Sequence, residues 1–298
     1  MVRKISILLL LMAIVTVSFS FPITLIDDLG RPVTITEEPE RVVVAAPAVT
    51  DFLVKLGVEE KIVGVTDFDP YQREGIERIG NMVPLNLEKI VSLRPDLVFL
   101  TGGFQEPEIS KLEAINVKCM VINPQSVNDI LKDVVLIGSA VGRSEKAKRI
   151  YQSYRDRFLQ IAKKAYTIPQ ENRLKVFYGM PDENFSQIWT CGSGSYMNEI
   201  IVYAGGVNVA AGYSGNNGWL PVGPEFVIKA NPDVILIPFW YEGGEKEAVE
   251  HVLNFKPWKE VSAVKNGRVY AIDGNVASNP NLEIFELLER IYTLLYEE

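Results

Sequence analysis

The chain has 298 residues, 47% of them hydrophobic and 23% charged, with 22 Gly and 17 Pro. That composition excludes collagen-like, low-complexity and wholly disordered chains, and the length suits two domains or one bilobed unit. A formal net charge of −8 without a basic stripe argues against a nucleic-acid partner, and a single histidine (His251) with two cysteines argues against a Cys/His zinc site or a disulfide framework.

Residues 1–20 read as a secretory signal peptide. Val2-Arg3-Lys4 is a short positive region, Ile5 to Val17 an apolar run, and Ser18-Phe19-Ser20 places small residues where a signal peptidase reads them. The apolar run is shorter than the roughly 20 residues of a spanning helix, and no Cys stands at the junction to take a lipid. The mature chain is therefore expected to be exported, periplasmic or otherwise extracytoplasmic, and soluble. Cys119 and Cys191 would then face oxidising conditions, where pairing is allowed. One sits in the strand-like run Val117 to Ile122 and the other in a Gly/Ser-rich loop in the other half, so two separate thiols are expected.

Residues 23 to 35 predict a hairpin: Ile23 to Ile26, a turn at Asp28-Leu29-Gly30-Arg31, then Val33 to Ile35. Short apolar runs follow at Val42 to Ala45, Ile62 to Val65, Leu97 to Leu100 and Cys119 to Ile122, typical of parallel strands covered on both faces. Helical stretches such as Thr50 to Leu56 and Pro107 to Ile115 separate them, and strand alternating with helix indicates an α/β sheet. From Ser126 to Ala165 two helical patterns run in succession. The second is about 20 residues, hence about 30 Å long, and reads as a strut between two α/β halves. Strands then resume at Leu174 to Tyr178, Gln187 to Thr190, Val234 to Ile237 and Val269 to Ile272, with helices at Ser195 to Ala204 and Leu282 to Tyr296. The expected division is an N-terminal lobe over residues 21–125, a helical segment over 126–166 and a C-terminal lobe over 167–298.

Two segments share one grammar. Glu88 to Val98 and Glu225 to Ile235 each place a Glu at the start of a short helix, seven residues before a Pro-Asp turn that feeds a buried strand. A Glu near a helix start is favourable on its own account, but that does not explain why the two segments match.

On these features the chain resembles the helix-linked (class III) extracytoplasmic solute-binding proteins of importers for cobalamin, haem and ferric siderophores. The resemblance covers residues 21 to 298. It is carried by Asp28-Leu29-Gly30-Arg31, Glu40-Arg41-Val42-Val43, the Pro47 to Gly57 loop and helix, Gly64-Val65, and above all Leu87-Glu88-Lys89-Ile90 through Pro95-Asp96-Leu97-Val98 with its second-half counterpart. It implies two Rossmann-like lobes joined by one long helix, a ligand cleft between them, and a monomer that delivers its ligand to an ABC permease dimer and its ATPase. In that family one rim glutamate per lobe docks into arginine pockets of the permease, and Glu88 and Glu225 match those positions. Carboxylate meeting guanidinium gives bidentate, orientation-fixing contacts.

In such proteins the cleft lies outside the C-terminal ends of the strands. The loops expected there carry Phe68, Tyr71, Phe104, Phe185, Trp189, Trp219, Trp240 and Tyr241. Rings at that density suit a broad, partly apolar ligand; an ordinary place at the lobe-edge core is the alternative for any one of them. The resemblance further implies ligand-facing side chains near Met82 and Trp219, each six residues before its glutamate. Arg73 is the only cation near these loops, against several carboxylates. A trianionic catecholate complex would need Arg or Lys to offset its desolvation. A neutral or cationic chelate is therefore expected, a corrinoid ahead of a hydroxamate-type ferric siderophore, with no cofactor and no direct metal ligation by the protein. Rival readings are weaker. Cys191-Gly192-Ser193-Gly194-Ser195 lacks the ending of a phosphate loop and reads as a turn plus helix N-cap. His251 has no partner pattern for a hydrolase triad, and a free-metal carrier would need more His or carboxylate ligands.

Overall fold

The structure is a computed structural model that describes residues 21–298; the signal peptide expected at residues 1–20 lies outside them. It opens with an antiparallel hairpin, β1 (Ile23–Ile26) and β2 (Pro32–Ile35). Asp27 sets the turn, its Oδ1 accepting from the backbone N–H groups of Leu29 and Arg31, with Gly30 at φ 76°.

Five parallel strands follow: β3 (Val42–Val44), β4 (Ile62–Val65), β5 (Glu77–Arg78), β6 (Leu97–Thr101) and β7 (Cys119–Ile122). Their spatial order is β5-β4-β3-β6-β7. Helices α1 (Pro47–Leu56), α2 (Leu87–Ser92) and α3 (Glu106–Ala114) lie between them in sequence. The sequence order reverses between β3 and β6, which makes their carboxyl ends the switch point where a crevice opens. Then come two helices, α4 (Val127–Ala140) and α5 (Ser144–Tyr166). Ser126 starts the first, its Oγ accepting from the Asp129 N–H at 3.1 Å. The 23 residues of α5 give about 35 Å of helix.

The second parallel sheet holds β8 (Lys175–Tyr178), β11 (Val207–Asn208), β13 (Val234–Phe239) and β14 (Val269–Asp273) in the order β11-β8-β13-β14. A separate antiparallel sheet, β9 (Met180–Pro181), β10 (Ile188–Cys191) and β12 (Trp219–Val222), has the order β12-β10-β9. This revises the sequence reading in one respect. The run at Gln187 to Thr190 does not join the α/β sheet, and part of the loop expected to carry Trp219 is instead its partner strand, Trp219–Val222. The cause is connection length. A parallel crossover needs a dozen or more residues, and the span from Tyr178 to Ile188 is too short, so the chain returns antiparallel. The remaining helices are α6 (Tyr196–Tyr203), α7 (Pro224–Ala230), α8 (Glu245–Leu253), α9 (Ser262–Lys265), α10 (Gly274–Ser278) and α11 (Ile284–Tyr296). No helix among the described residues is long and apolar enough to cross a membrane.

The repeated grammar has a structural reason. Asp96 stands at the entry to β6, and its Oδ2 accepts from the N–H groups of Glu40 and Arg41, just before β3, at 2.8 Å each. Asp233 stands at the entry to β13, and its Oδ2 accepts from Lys175 N–H, the first residue of β8, at 2.8 Å. Each aspartate thus pins together the two strands that flank the switch point of its sheet.

The halves are joined by more than a rod. One continuous apolar cluster includes Val44, Phe52 and Met120 of the first half and Val176, Met197 and Leu288 of the second. Along α5, Ala147 and Ile161 are buried in that cluster and Tyr154 and Phe158 pack against it. Phe158 meets Tyr203 of α6 edge-on, ring centroids 4.7 Å apart. Hydrogen bonds add to this: Leu282 N–H of the second half donates to Asp51 Oδ2 of the first at 3.2 Å, and Val127 N–H, at the start of the linking helices, donates to Glu199 Oε2 of the second half at 2.8 Å. Cys119 and Cys191 are both buried and free. Burial pushes the Cys191 thiol up to about 12 and raises that of Cys119.

Candidate functional site

A cavity of ≈ 310 Å³ opens at the carboxyl ends of β6, β7 and β8, with walls from both halves. Thr101, Gly102, Gly103 and Phe104 come from the end of β6, Asn123 and Gln125 from the end of β7. The opposite wall is Met180, Tyr196, Ser278 and the segment carrying Asn216, Asn217 and Trp219. Local chemistry holds these walls in place. Buried Gln105 accepts from Thr101 N–H at 2.8 Å and donates to the Ala45 and Met82 carbonyls, so one side chain ties together the loops after β3 and β6. Gly102 packs so close to Asn123 that a Cβ there would lie 2.4 Å from its side chain. Across the cavity, Gly218 has φ +78°, and a Cβ would lie 2.2 Å from the Ser195 backbone nitrogen. Only glycine lets the Asn216–Trp219 segment seat there. Ser195 is the N-cap of α6, its Oγ accepting from Asn198 N–H at 3.1 Å, which is the role expected for the Cys191 to Ser195 turn.

Two further cavities flank the first. One, ≈ 350 Å³, shares Met180 and is lined by Trp240 and Tyr241 together with Glu183, Glu247 and His251. The Tyr241 hydroxyl donates to Glu247. The other, ≈ 270 Å³, is lined by Tyr71, Asp51, Asp69 and Glu283 with Asn279 and Asn281, on the other side of the Ser278–Pro280 segment. Burial raises the carboxyl pKa of Asp51, Asp69 and Glu283 alike. Among the described residues no charged side chain lines the first cavity, and no Arg or Lys lines any of the three. Arg73 is turned into its own half, donating to the Ile62 carbonyl at 2.7 Å. Among the described residues no cluster of three or more His, Cys, Asp and Glu is placed to hold a metal ion.

The structure therefore distributes the residues singled out from the sequence. Phe104 and Trp219 reach the first cavity, Trp240 and Tyr241 the second, Tyr71 the third. Phe68 is 65% exposed, and neither it nor Met82 lines these cavities; Met82 offers its carbonyl to Gln105 instead. Trp189 stands outside them as well, because on β10 it alternates with buried Ile188 and Thr190 and so faces away. Phe185 is core: it is 2% exposed and stacks on Phe255 with centroids 4.1 Å apart. The residues that sequence reasoning passed over are the neutral ones: Gln105, Asn123, Gln125, Asn216, Asn217 and Tyr196. Polar residues at strand ends carry no local signal that separates cleft wall from ordinary loop. The one available cue was position, after strands whose carboxyl ends face the crevice.

Glu88 and Glu225 occupy the same place, the second residue of α2 and of α7. Both are exposed, and among the described residues neither carboxylate is in an ion pair. The Glu225 carboxylate folds back over Gly223.

Comparison with known proteins agrees with this architecture. The periplasmic binding protein family matches residues 42–276. The chain is similar to an uncharacterised ABC transporter substrate-binding lipoprotein of Bacillus subtilis, 31% identical over 285 residues, 93% of this chain and 87% of the relative. It is also similar to a cobalamin-binding protein of Halobacterium salinarum, 25% identical over 277 residues, 91% of this chain and 73% of the relative. Among solved structures, an ABC-type Fe3+-hydroxamate transport system of Saccharomonospora viridis shares the fold with a TM-score of 0.76 at 22% identity, covering 93% of this chain and 99% of that one. Two α/β halves braced by one long helix, with a crevice at their switch points, and a match spanning most of the chain lead to one conclusion: this protein belongs to the periplasmic binding protein family.

Proposed function

We propose that this protein is the substrate-binding component of an ABC importer and captures a neutral or cationic metal chelate between its lobes outside the cytoplasm. The observation that carries the reading is the chemistry of the crevice: aromatic rings, four carboxamides (Asn123, Gln125, Asn216, Asn217) and, among the described residues, no lining cation. A carboxamide both donates and accepts, which suits a ligand whose rim carries amides. A polyanionic chelate would lose its hydration there without a compensating positive charge. A corrinoid, with its ring of carboxamide arms, fits best, and a hydroxamate-type ferric siderophore is next. The name of the Halobacterium relative supports the first. The first cavity alone is small for a macrocycle, so the ligand would lie across it and a flanking cavity. The metal is cargo held by its chelator.

Glu88 and Glu225 are the proposed docking carboxylates, one from each lobe, for a permease with its ATPase. The protein works as a monomer in this reading. The continuous core and α5 allow only a small hinge motion, because opening the lobes widely would break packed contacts and a helical ladder.

Calorimetric titration tests the ligand. Cyanocobalamin or a ferric trihydroxamate should bind one per chain, and haemin, with its ionised propionates, should bind more weakly. Binding of neither cyanocobalamin nor the ferric trihydroxamate, or a clear preference for haemin or a ferric catecholate, overturns the reading.

A further inference from the structure

Tyr178 ends β8 and is fully buried, yet its hydroxyl has no hydrogen-bond partner among the described residues. Its neighbours show that this is a local exception. Thr190 Oγ1 donates to the Tyr178 carbonyl at 2.7 Å, and the buried Tyr196 hydroxyl donates to the Ala277 carbonyl at 3.0 Å. The Ser278 side chain is near enough to favour the ionised phenol slightly, but forms no hydrogen bond of ordinary geometry with it. Burial drives the phenol pKa well up, so the group is a neutral donor throughout the physiological range. A buried hydroxyl left without a partner costs the folded state, and such groups call for an explanation.

Its position supplies one. The Tyr178 ring packs edge-on against Trp219, centroids 5.9 Å apart, and Trp219 in turn packs on Tyr196 at 6.0 Å. Trp219, Tyr196 and Ser278 all line the first cavity. The Tyr178 ring thus lies one side-chain layer beneath the crevice wall, behind Trp219, with its hydroxyl toward Ser278.

We propose that Tyr178 is a further specificity-determining residue of the crevice, whose hydroxyl donates to a carbonyl-type acceptor of the bound chelate, a carboxamide or hydroxamate oxygen, once Trp219 and Ser278 swing aside. This inference rests on the chelate-binding reading above. It makes binding selective, because a ligand that presents a hydrocarbon edge at that point leaves the donor unpaired, whereas one that presents an oxygen satisfies it.

Tyr178→Phe separates this from a packing role, since it keeps the ring and removes only the hydroxyl. The melting temperature of the ligand-free variant should equal or exceed that of the wild type. Affinity for whichever of cyanocobalamin and ferric trihydroxamate the wild type binds should fall about tenfold, the value of one hydrogen bond. Unchanged affinity overturns the inference and leaves the functional reading intact. A lower melting temperature also overturns it, because the hydroxyl would then already be paired inside the protein. Should the wild type bind neither chelate, the functional reading fails and the inference fails with it.

Discussion

Glu199 offers a test of how the two halves are held. It lies on α6, half-buried, and accepts the Val127 N–H at the start of α4 at 2.8 Å. That N–H is one of the donors a helix start leaves unpaired, and Ser126 already serves the Asp129 N–H. The carboxyl pKa is raised, first by desolvation, with the Val127 bond opposing and Asp129 adding repulsion. A raised pKa in the folded state means that ionisation works against folding. The cost is absent below the ordinary carboxylate range and appears as pH climbs through the folded-state value. The useful part of Glu199 is therefore its oxygen, not its charge. Glu199→Gln keeps an acceptor and should be neutral or slightly stabilising at pH 7 to 8. Glu199→Ala removes it and strands the Val127 N–H, a loss of about 1–3 kcal/mol. With a urea slope of about 3 kcal/mol per M, that lowers the midpoint by about 0.3–1 M. Equal destabilisation by Gln and Ala would refute the reasoning, since it would make the charge, through the dipole of α4, the stabilising element.

Two other outcomes follow from the same kind of argument. Asp133, buried in α4, has its carboxyl pushed well up, mainly by burial and then by Asp28 and Asp129. Asp133→Asn should match wild-type stability near pH 4 and exceed it increasingly toward pH 7 in urea melts; a gap independent of pH would sink the assignment. Replacing Glu88 and Glu225 together by Ala should abolish uptake in vesicles carrying the cognate permease while leaving chelate affinity unchanged, and a loss of affinity instead would place these residues in the binding crevice.

The strands were legible because their cause is local. Val42 to Val44, Leu97 to Leu100 and Cys119 to Ile122 are buried on both faces, so each reads as an unbroken apolar run. The helix at Ser144–Tyr166 announced itself by period, and the two Pro-Asp units by matching spacing, which the structure explains as paired strand clamps at the two switch points. The site was legible only in part. The choice of aromatics at strand ends included Phe104 and Trp219, which line the first cavity, but also Phe185, which is core, and Trp189, which β-strand alternation turns away.

Sequence by itself determined the α/β class, the two halves, the bridging helix and the shortage of cations near the crevice, because each depends on neighbours along the chain or on composition. Tertiary structure alone decided which polar groups meet across the gap. Asn123 and Asn217 are distant in sequence and share a cavity; Gln105 binds three loops; Tyr178 is left with a donor and no acceptor among the described residues. Whether a hydrogen-bonding group is satisfied depends on atoms within about 3 Å in space, and nothing in the order of residues along one strand records what the opposite wall will bring.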